Sequence, residues 1–342
     1  VGFFNMVVLM LVIASCASFA AVPAELDAAV RWYTRRGGKL SPAIMPAPSA
    51  ACGGGLGLFA AADLDNLAVI GEFPLEAAIT AACALQDPDL GPVARAFLRE
   101  KGGSRGAEAV VVAAFLAHER LRTRSLRAED AEKSSYAGCV NSLPWGDGYG
   151  NVPDSLAGHV LLSPSDTDLG QHSEALVEHR KMASGTAHQV SALVPHADDD
   201  LCLRATLLVA SRTFDLSAAI KACGIVLDLE EELVQGSHVA VPVWDCLNHP
   251  SQTSLDLSGN AGSRFKEHSI IDSCVRWRVR PADEETGAPP AITIHAPVKL
   301  KVQSGDELWQ WYGNAGWGEE SPRRWLAAEA KFMAQYGFSP WQ

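Results

Sequence analysis

The sequence predicts an α+β fold in which short strands flank a long helical block. Three observations predict it. Apolar residues recur at helical spacing from Leu75 to about Arg212, and short apolar runs cut by polar turns stand on both sides of that block, at residues 58–73 and beyond residue 239. No internal repeat or low-complexity tract points to a solenoid or a disordered chain. With 342 residues and an apolar share of 48%, the chain can bury a full core. Its formal charge of -12 disfavours nucleic acid, because phosphate binding needs clustered Lys and Arg to displace counterions. A basic protein segment is a better-matched partner.

Residues 1–22 stand apart. From Phe3 to Val22 the chain carries no charge, and small residues around Ala17 to Ala21 lead into Pro23, as in the apolar core and cleavage region of a signal peptide. A basic n-region is missing, and the same length also fits one membrane anchor. The segment is therefore set aside from the fold as signal-like, pointing to secretory or organelle (plastid) targeting, with a cytoplasmic location as the alternative. Membrane association is expected only if this segment is retained.

Residues 25–36 form the first expected helix, with Leu26, Val30 and Tyr33 on one face, basic residues in the last turn and Gly37 as its stop. A Pro- and Gly-rich stretch, 41–57, follows. Residues 58–73 suggest two short strands around the turn 63–66. The helical block includes 92–99 and 107–120, with a loop-rich section around 144–170. Asp198, Asp199 and Asp200 mark the start of a helix ending near Arg212, since negative charge is favoured at a helix N-terminus. Residues 239–244, 291–295, 298–302 and 308–312 then read as short strands, with a turn at Ser304, Gly305 and Asp306 and a surface loop over 281–290.

The eight cysteines are scattered without a C-x-C or C-x-x-C pair, so they read as mostly buried free thiols, although a secreted protein could pair them as disulfides. Four segments carry possible chemistry. Gly53-Gly54-Gly55-Leu56-Gly57 lets backbone approach a ligand closely. A dinucleotide fingerprint is the competing reading, but Pro46 and Pro48 precede it and Asp63, Asp65 and Asn66 interrupt what should be a long helix. A plain hairpin or bulge also accounts for the glycines. Ser211-Arg212-Thr213-Phe214 ends a helix, where Arg212 either satisfies the helix terminus or binds a carboxylate. Asp245-Cys246-Leu247-Asn248-His249-Pro250 closes an expected strand, as an Asx-type turn or as a ligand site. His238, Asp245 and His249 could supply two imidazoles and a carboxylate to a metal, as in a hydrolase or oxygenase, but an extended strand with that odd spacing would point His238 and Asp245 to opposite faces. Last, Trp311-Tyr312-Gly313 is followed by Tyr336-Gly337-Phe338.

Taken in order, these segments resemble the SET-domain methyltransferases of the Rubisco large-subunit lysine methyltransferase group, which includes an actin-histidine methyltransferase. G-x-G-L, S-R-x-F, D-x-x-N-H, and Y-G followed by Y-G-F occur in family order, and FLAHER at 115–120 and SSYAGCVNSLP at 134–144 resemble the group's helical insert. The resemblance covers residues 24 to 339. It implies a SET fold of short β-sheets of the knotted β-clip type with a long inserted helical subdomain. The implied divisions are N-terminal SET strands over 24–75, the insert over 76–205, and the C-terminal SET core with a final helix over 206–339. Relatives continue into a helical substrate-binding domain, which is expected to be absent here.

The resemblance also implies a cofactor, S-adenosyl-L-methionine, and a protein substrate carrying a target lysine, with the enzyme a monomer that needs no metal. Gly54, Gly55 and Leu56 would meet the cofactor through backbone, and Arg212 its carboxylate. Asn248 and His249 would hold its amino-acid and adenine portions, Phe338 would pack on the adenine face, and Asp245 would lie toward the substrate. Tyr312 would be catalytic, with Tyr336 lining the same channel. A histidine target is the nearest variant, and a non-catalytic SET module that binds a partner is an alternative. The latter is motivated by Trp244, which stands where the family has a smaller residue, and by an insertion over 314–335. Pro250 replaces a common Ser.

Overall fold

The computed structural model describes residues 24–49, 56–125, 136–145, 159–162, 173–227, 233–247 and 273–310, with positions 331 and 334. Helix α1, Ala24–Arg35, lies close to the expected span, and its buried face is Ala29, Trp32 and Tyr33 with Val30 partly covered. Gly37 ends it at φ +86°, and the amides of Gly37 and Gly38 return to the carbonyls of Thr34 and Tyr33, the double closure that an L-residue would make with strain.

Two antiparallel sheets follow. Strands β1 (Lys39–Leu40), β2 (Ile44–Pro48), β3 (Leu56–Ala60) and β4 (Val69–Pro74) precede the helical block. Strands β5 (Arg276–Arg280), β6 (Ala291–His295) and β7 (Glu307–Leu308) come after it. One sheet has the order β1-β4-β6-β5 and the other β2-β3-β7, so each joins strands from both ends of the described chain. Glu72 pairs with Lys39 on one side and Thr293 on the other, and Leu58 pairs with Leu308.

Among the described residues, seven α-helices intervene: α2 (Ala81–Gln86), α3 (Gly91–Glu100), α4 (Arg105–Ser125), α5 (Ala137–Val140), α6 (Ser173–Leu193), α7 (Asp199–Arg212) and α8 (Ser217–Ala222). Helix α4 is the axis of the block. It packs against α2, α3, α5, α6 and α7, and every residue from Val110 to Ala117 is buried. A helix covered on so many sides is apolar nearly all round. Asp198 caps α7 as its charge suggests, its carboxylate accepting from the Leu201 amide at 2.7 Å.

Two expected strands are not strands. Residues 239–244 form only isolated bridges, Val239 with Phe214 and Ala240 with Ile79, before a short 3-10 turn at Trp244–Cys246. Pro242 has no amide to donate, and Val243 adopts φ 75°, ψ -45°, which no ladder can continue. Residues 298–302 keep alternating burial yet pair only through Val302 with Leu64. Alternation there reports a half-buried surface, not hydrogen bonding. Conversely, β2 is hidden in sequence by Pro46 and Pro48, which its edge position tolerates, and β5 by three arginines alternating with Trp277 and Val279. Residues 281–290 are the surface connection between β5 and β6, with Asp283 accepting from the amides of Glu285 and Thr286.

Cys83, Cys139, Cys202, Cys223, Cys246 and Cys274 are free thiols, all but Cys223 buried. Among the described residues, no helix is long and apolar enough to cross a membrane.

Candidate active site

Described elements that adjoin the glycine, S-R-x-F, D-x-x-N-H and W-Y-G segments converge. Strand β3, which begins at Leu56 directly after the glycine cluster, lies between β2 and β7 and also packs on the turn Trp244–Cys246. This antiparallel hairpin setting excludes the dinucleotide fingerprint, which needs a strand feeding a long helix. Strand β7 leads through Trp309 and Gln310 toward Tyr312. Helix α7 ends at Arg212, and two residues later Phe214 exchanges both backbone hydrogen bonds with Val239, at 2.9 and 3.0 Å. The S-R-x-F segment is thereby clamped to the stretch that runs into D-x-x-N-H.

Side chains tie the same elements together. The ring of Phe214 lies on Trp277 with centroids 4.1 Å apart, and Trp277 meets Trp244 edge-on at 6.4 Å. The indole N–H of Trp277 donates to Oε1 of Gln310 at 3.1 Å. One half-buried tryptophan therefore touches residues adjoining the S-R-x-F, D-x-x-N-H and W-Y-G segments. Val275 reinforces the junction, its amide donating to the Trp309 carbonyl at 2.9 Å.

Trp244 is wholly buried and turned toward the fold interior. Its Nε1–H donates to the Tyr33 hydroxyl at 3.1 Å, and that hydroxyl donates to the Glu72 carbonyl at 2.8 Å. The large side chain before Asp245 is thus a core residue. The left-handed backbone of Val243 makes this inward turn possible, a conformation costing about 1–3 kcal/mol for a β-branched residue and held only where its surroundings fix it.

His238 is one residue from the Phe214–Val239 clamp. Its Nδ1 lies 3.2 Å from the Ser237 hydroxyl, and its pKa is pushed down to about 4, first by burial and then by the Arg105 guanidinium, against the opposing pull of Asp215. Arg105 and Asp215 pair at 2.8 Å. Burial works to raise the Asp215 carboxyl, but hydrogen bonds from the Ser217 hydroxyl and amide, with Arg105, hold it below the usual range. His238 is accordingly a neutral imidazole in a structural corner.

Of the residues the sequence nominates, Arg212 lies in the last turn of α7, half-buried, and Leu56 opens β3. Asp245 lies in the 3-10 turn beside β3. Gly54, Gly55, Asn248, His249, Tyr312, Tyr336 and Phe338 lie outside the described residues, as does the insertion over 314–335 apart from positions 331 and 334. Trp277 and Gln310 are the junction residues that sequence reasoning missed, whereas Phe214 belongs to the S-R-x-F segment it singled out. Alternation of Trp277 and Val279 with arginines was the available signal for a strand there.

Among the described residues, Asp87, Asp89 and His118 bring ligand-type atoms within 4.8 Å of one another. Asp87 Oδ1 already accepts from the amides of Asp89 and Leu90 at 2.9 Å at the start of α3, and Oδ2 lies 3.8 Å from the Arg122 guanidinium. This is a cap and an ion-pair corner, and the adjacent cation opposes a divalent ion.

No protein-family model and no curated protein matches the sequence. Solved structures match the fold. The SET domain of LSMT bound to lysine and AdoHcy aligns with a TM-score of 0.56 at 15% sequence identity, over 92% of this chain and 57% of that chain. The same domain bound to methyllysine and AdoHcy gives 0.57 at 16% identity over 93% and 57%. Rubisco LSMT bound to AdoMet gives 0.55 at 16% over 93% and 57%. The chain thus spans 57% of the length of these proteins and shares their α+β SET-domain fold.

Proposed function

We propose that this chain is an S-adenosylmethionine-dependent methyltransferase acting on a lysine side chain of another protein. The observation that carries the proposal is that the residues just past α7 and β7 and the Trp244–Cys246 turn meet at Trp277, with β3 packed on that turn and paired with β7. Four motifs far apart in sequence are flanked by elements that meet at one junction. The structural neighbours add support: one was solved with AdoMet, and others with lysine or methyllysine beside AdoHcy.

When bound, S-adenosylmethionine supplies an electrophilic methyl group on a sulfonium centre. Arg212 would hold its carboxylate, since a guanidinium presents a planar pair of donors. Gly54, Gly55 and Leu56 would contact it through backbone, Asn248 and His249 through side chains, and Phe338 through ring stacking. Asp245 would face the protein substrate. A lysine amine with a pKa near ~10.4 must lose its proton to act, and a narrow apolar channel disfavours the ammonium. Tyr312, with Tyr336 beside it, would orient the lone pair, so that positioning and fixed dipoles supply most of the acceleration.

Calorimetric titration with S-adenosylmethionine tests the cofactor half of this reading. Tight binding by the wild-type chain, lost in Arg212→Ala and Asn248→Ala, is expected, and absence of wild-type binding would overturn it. Mass spectrometry of a proteome incubated with the chain and isotope-labelled cofactor tests the target: label on lysine supports the proposal, and label confined to histidine replaces its substrate.

A further inference from the structure

We propose that Glu108, in the helical block, is a positioning residue for the cofactor site, an inference that rests on the methyltransferase reading. Glu108 is fully buried in the first turn of α4. Its Oε1 accepts from the Gln235 amide at 2.5 Å, and its Oε2 from the amides of Gly236 and Ser237 at 3.1 and 3.0 Å and from the Ser237 hydroxyl at 3.0 Å. Three successive amides of one loop thus point at a single carboxylate, and the helix N-terminus favours its negative charge.

This loop is placed between the two clamped segments. The Gly236 carbonyl accepts from the Leu216 amide at 3.1 Å, three residues before the Phe214–Val239 exchange begins. Gly236 itself has φ +77°, and a β-carbon there would stand 2.4 Å from Cδ1 of Ile220, so the turn of the loop favours glycine. Ala240 then exchanges both backbone bonds with Ile79. The backbone leaving this loop is therefore fixed on both sides as it passes Phe214, beyond Arg212, and continues to the turn that holds Asp245. Charge-assisted bonds are roughly twice as strong as neutral ones, which makes this carboxylate the firmest anchor in that path. Glu108 touches no reacting atom. It sets the separation between Arg212 and the turn Trp244–Cys246.

The test uses the full chain with Glu108→Gln, Glu108→Ala and Ser237→Ala, measuring KM for S-adenosylmethionine, kcat, and hydrogen exchange at the amides of residues 235–237. Glu108→Gln keeps the side-chain shape but replaces one accepting oxygen by a donor. It is expected to raise cofactor KM about tenfold with kcat at saturation changed less than about twofold, alongside faster exchange at 235–237. Ser237→Ala removes only one donor and is expected to raise KM about two- to threefold, which keeps the inference testable if both Glu108 variants fail to fold. Faster exchange with unchanged KM would reduce Glu108 to a structural tie and overturn the proposal. So would a fall in kcat with KM unchanged. A wild-type chain that neither binds S-adenosylmethionine nor transfers methyl overturns the functional reading first, before any variant is compared.

Discussion

The indole of Trp244 occupies the space that a side chain at position 71 would need: a β-carbon on Gly71 would stand 2.0 Å from Cζ2 of the ring. Gly71 lies in β4 beside an irregularity in the β4–β6 register, and its missing side chain opens the slot that lets Trp244 reach Tyr33. Gly71→Ala should therefore destabilise the protein by about 1–3 kcal/mol in urea unfolding, the cost of overpacking a rigid ring. Combining it with Trp244→Phe, which removes the clashing carbon, should cost less than the sum of the single changes. Additivity within about 0.5 kcal/mol would show that the two positions do not compete for space.

His238 makes stability depend on pH. Its folded pKa of about 4 lies below the unfolded value near ~6.5, so the unfolded chain binds the extra proton between those limits. The stabilisation is complete above about pH 6.5 and is lost as pH falls toward 4, by on the order of 3 kcal/mol. His238→Gln should flatten this part of the stability profile measured by urea titration from pH 7 to 4.5. An unchanged slope would place its source elsewhere.

Asp198 holds the start of the helix whose far end carries Arg212. Asp198→Ala should lower stability by about 1 kcal/mol, and Asp198→Asn by less, because Asn retains a capping oxygen. Thermal unfolding in the presence and absence of S-adenosylmethionine separates this effect from binding, and the two variants should show the same cofactor-induced shift as wild type.

Tyr312→Phe should leave cofactor affinity in place while slowing methyl transfer on the order of a hundredfold, as expected when one orienting polar group is removed from a preorganised site. Single-turnover assays with saturating cofactor read the chemical step directly. Transfer at the wild-type rate would remove Tyr312 from its proposed role.

Helices were the most legible elements in the sequence because their termini carry local chemistry: Gly37 after α1 and Asp198 before α7 are visible without any tertiary knowledge. Strands were less so. Residues 298–302 alternate as a strand should, but a partner along their length is a tertiary fact, and only Val302 finds one. Residues 239–244 read as apolar and extended, while Pro242 and the left-handed Val243 divert them into a turn. For the candidate site, motif order nominates Arg212 and the D-x-x-N-H stretch. It did not identify Glu108 or Trp277, whose importance comes from partners lying far along the chain. Trp244, larger than the residue the resemblance leads one to expect there, is a core residue because Gly71 makes room for it.

The pairing of β3 with β7 and of β4 with β6 bears on how the protein is made. As synthesis proceeds, β3 and β4 leave the ribosome with β2 and β1 already made but long before β7 and β6 exist, so each keeps one edge of unmet amides and carbonyls through translation of the helices. Local helical contacts in the middle of the chain can form early, whereas sheet closure waits for the last segment and bears a large loop-closure entropy. Expression as a fragment ending before β6 should yield insoluble material, and a holding chaperone during translation should raise the soluble yield of the full chain.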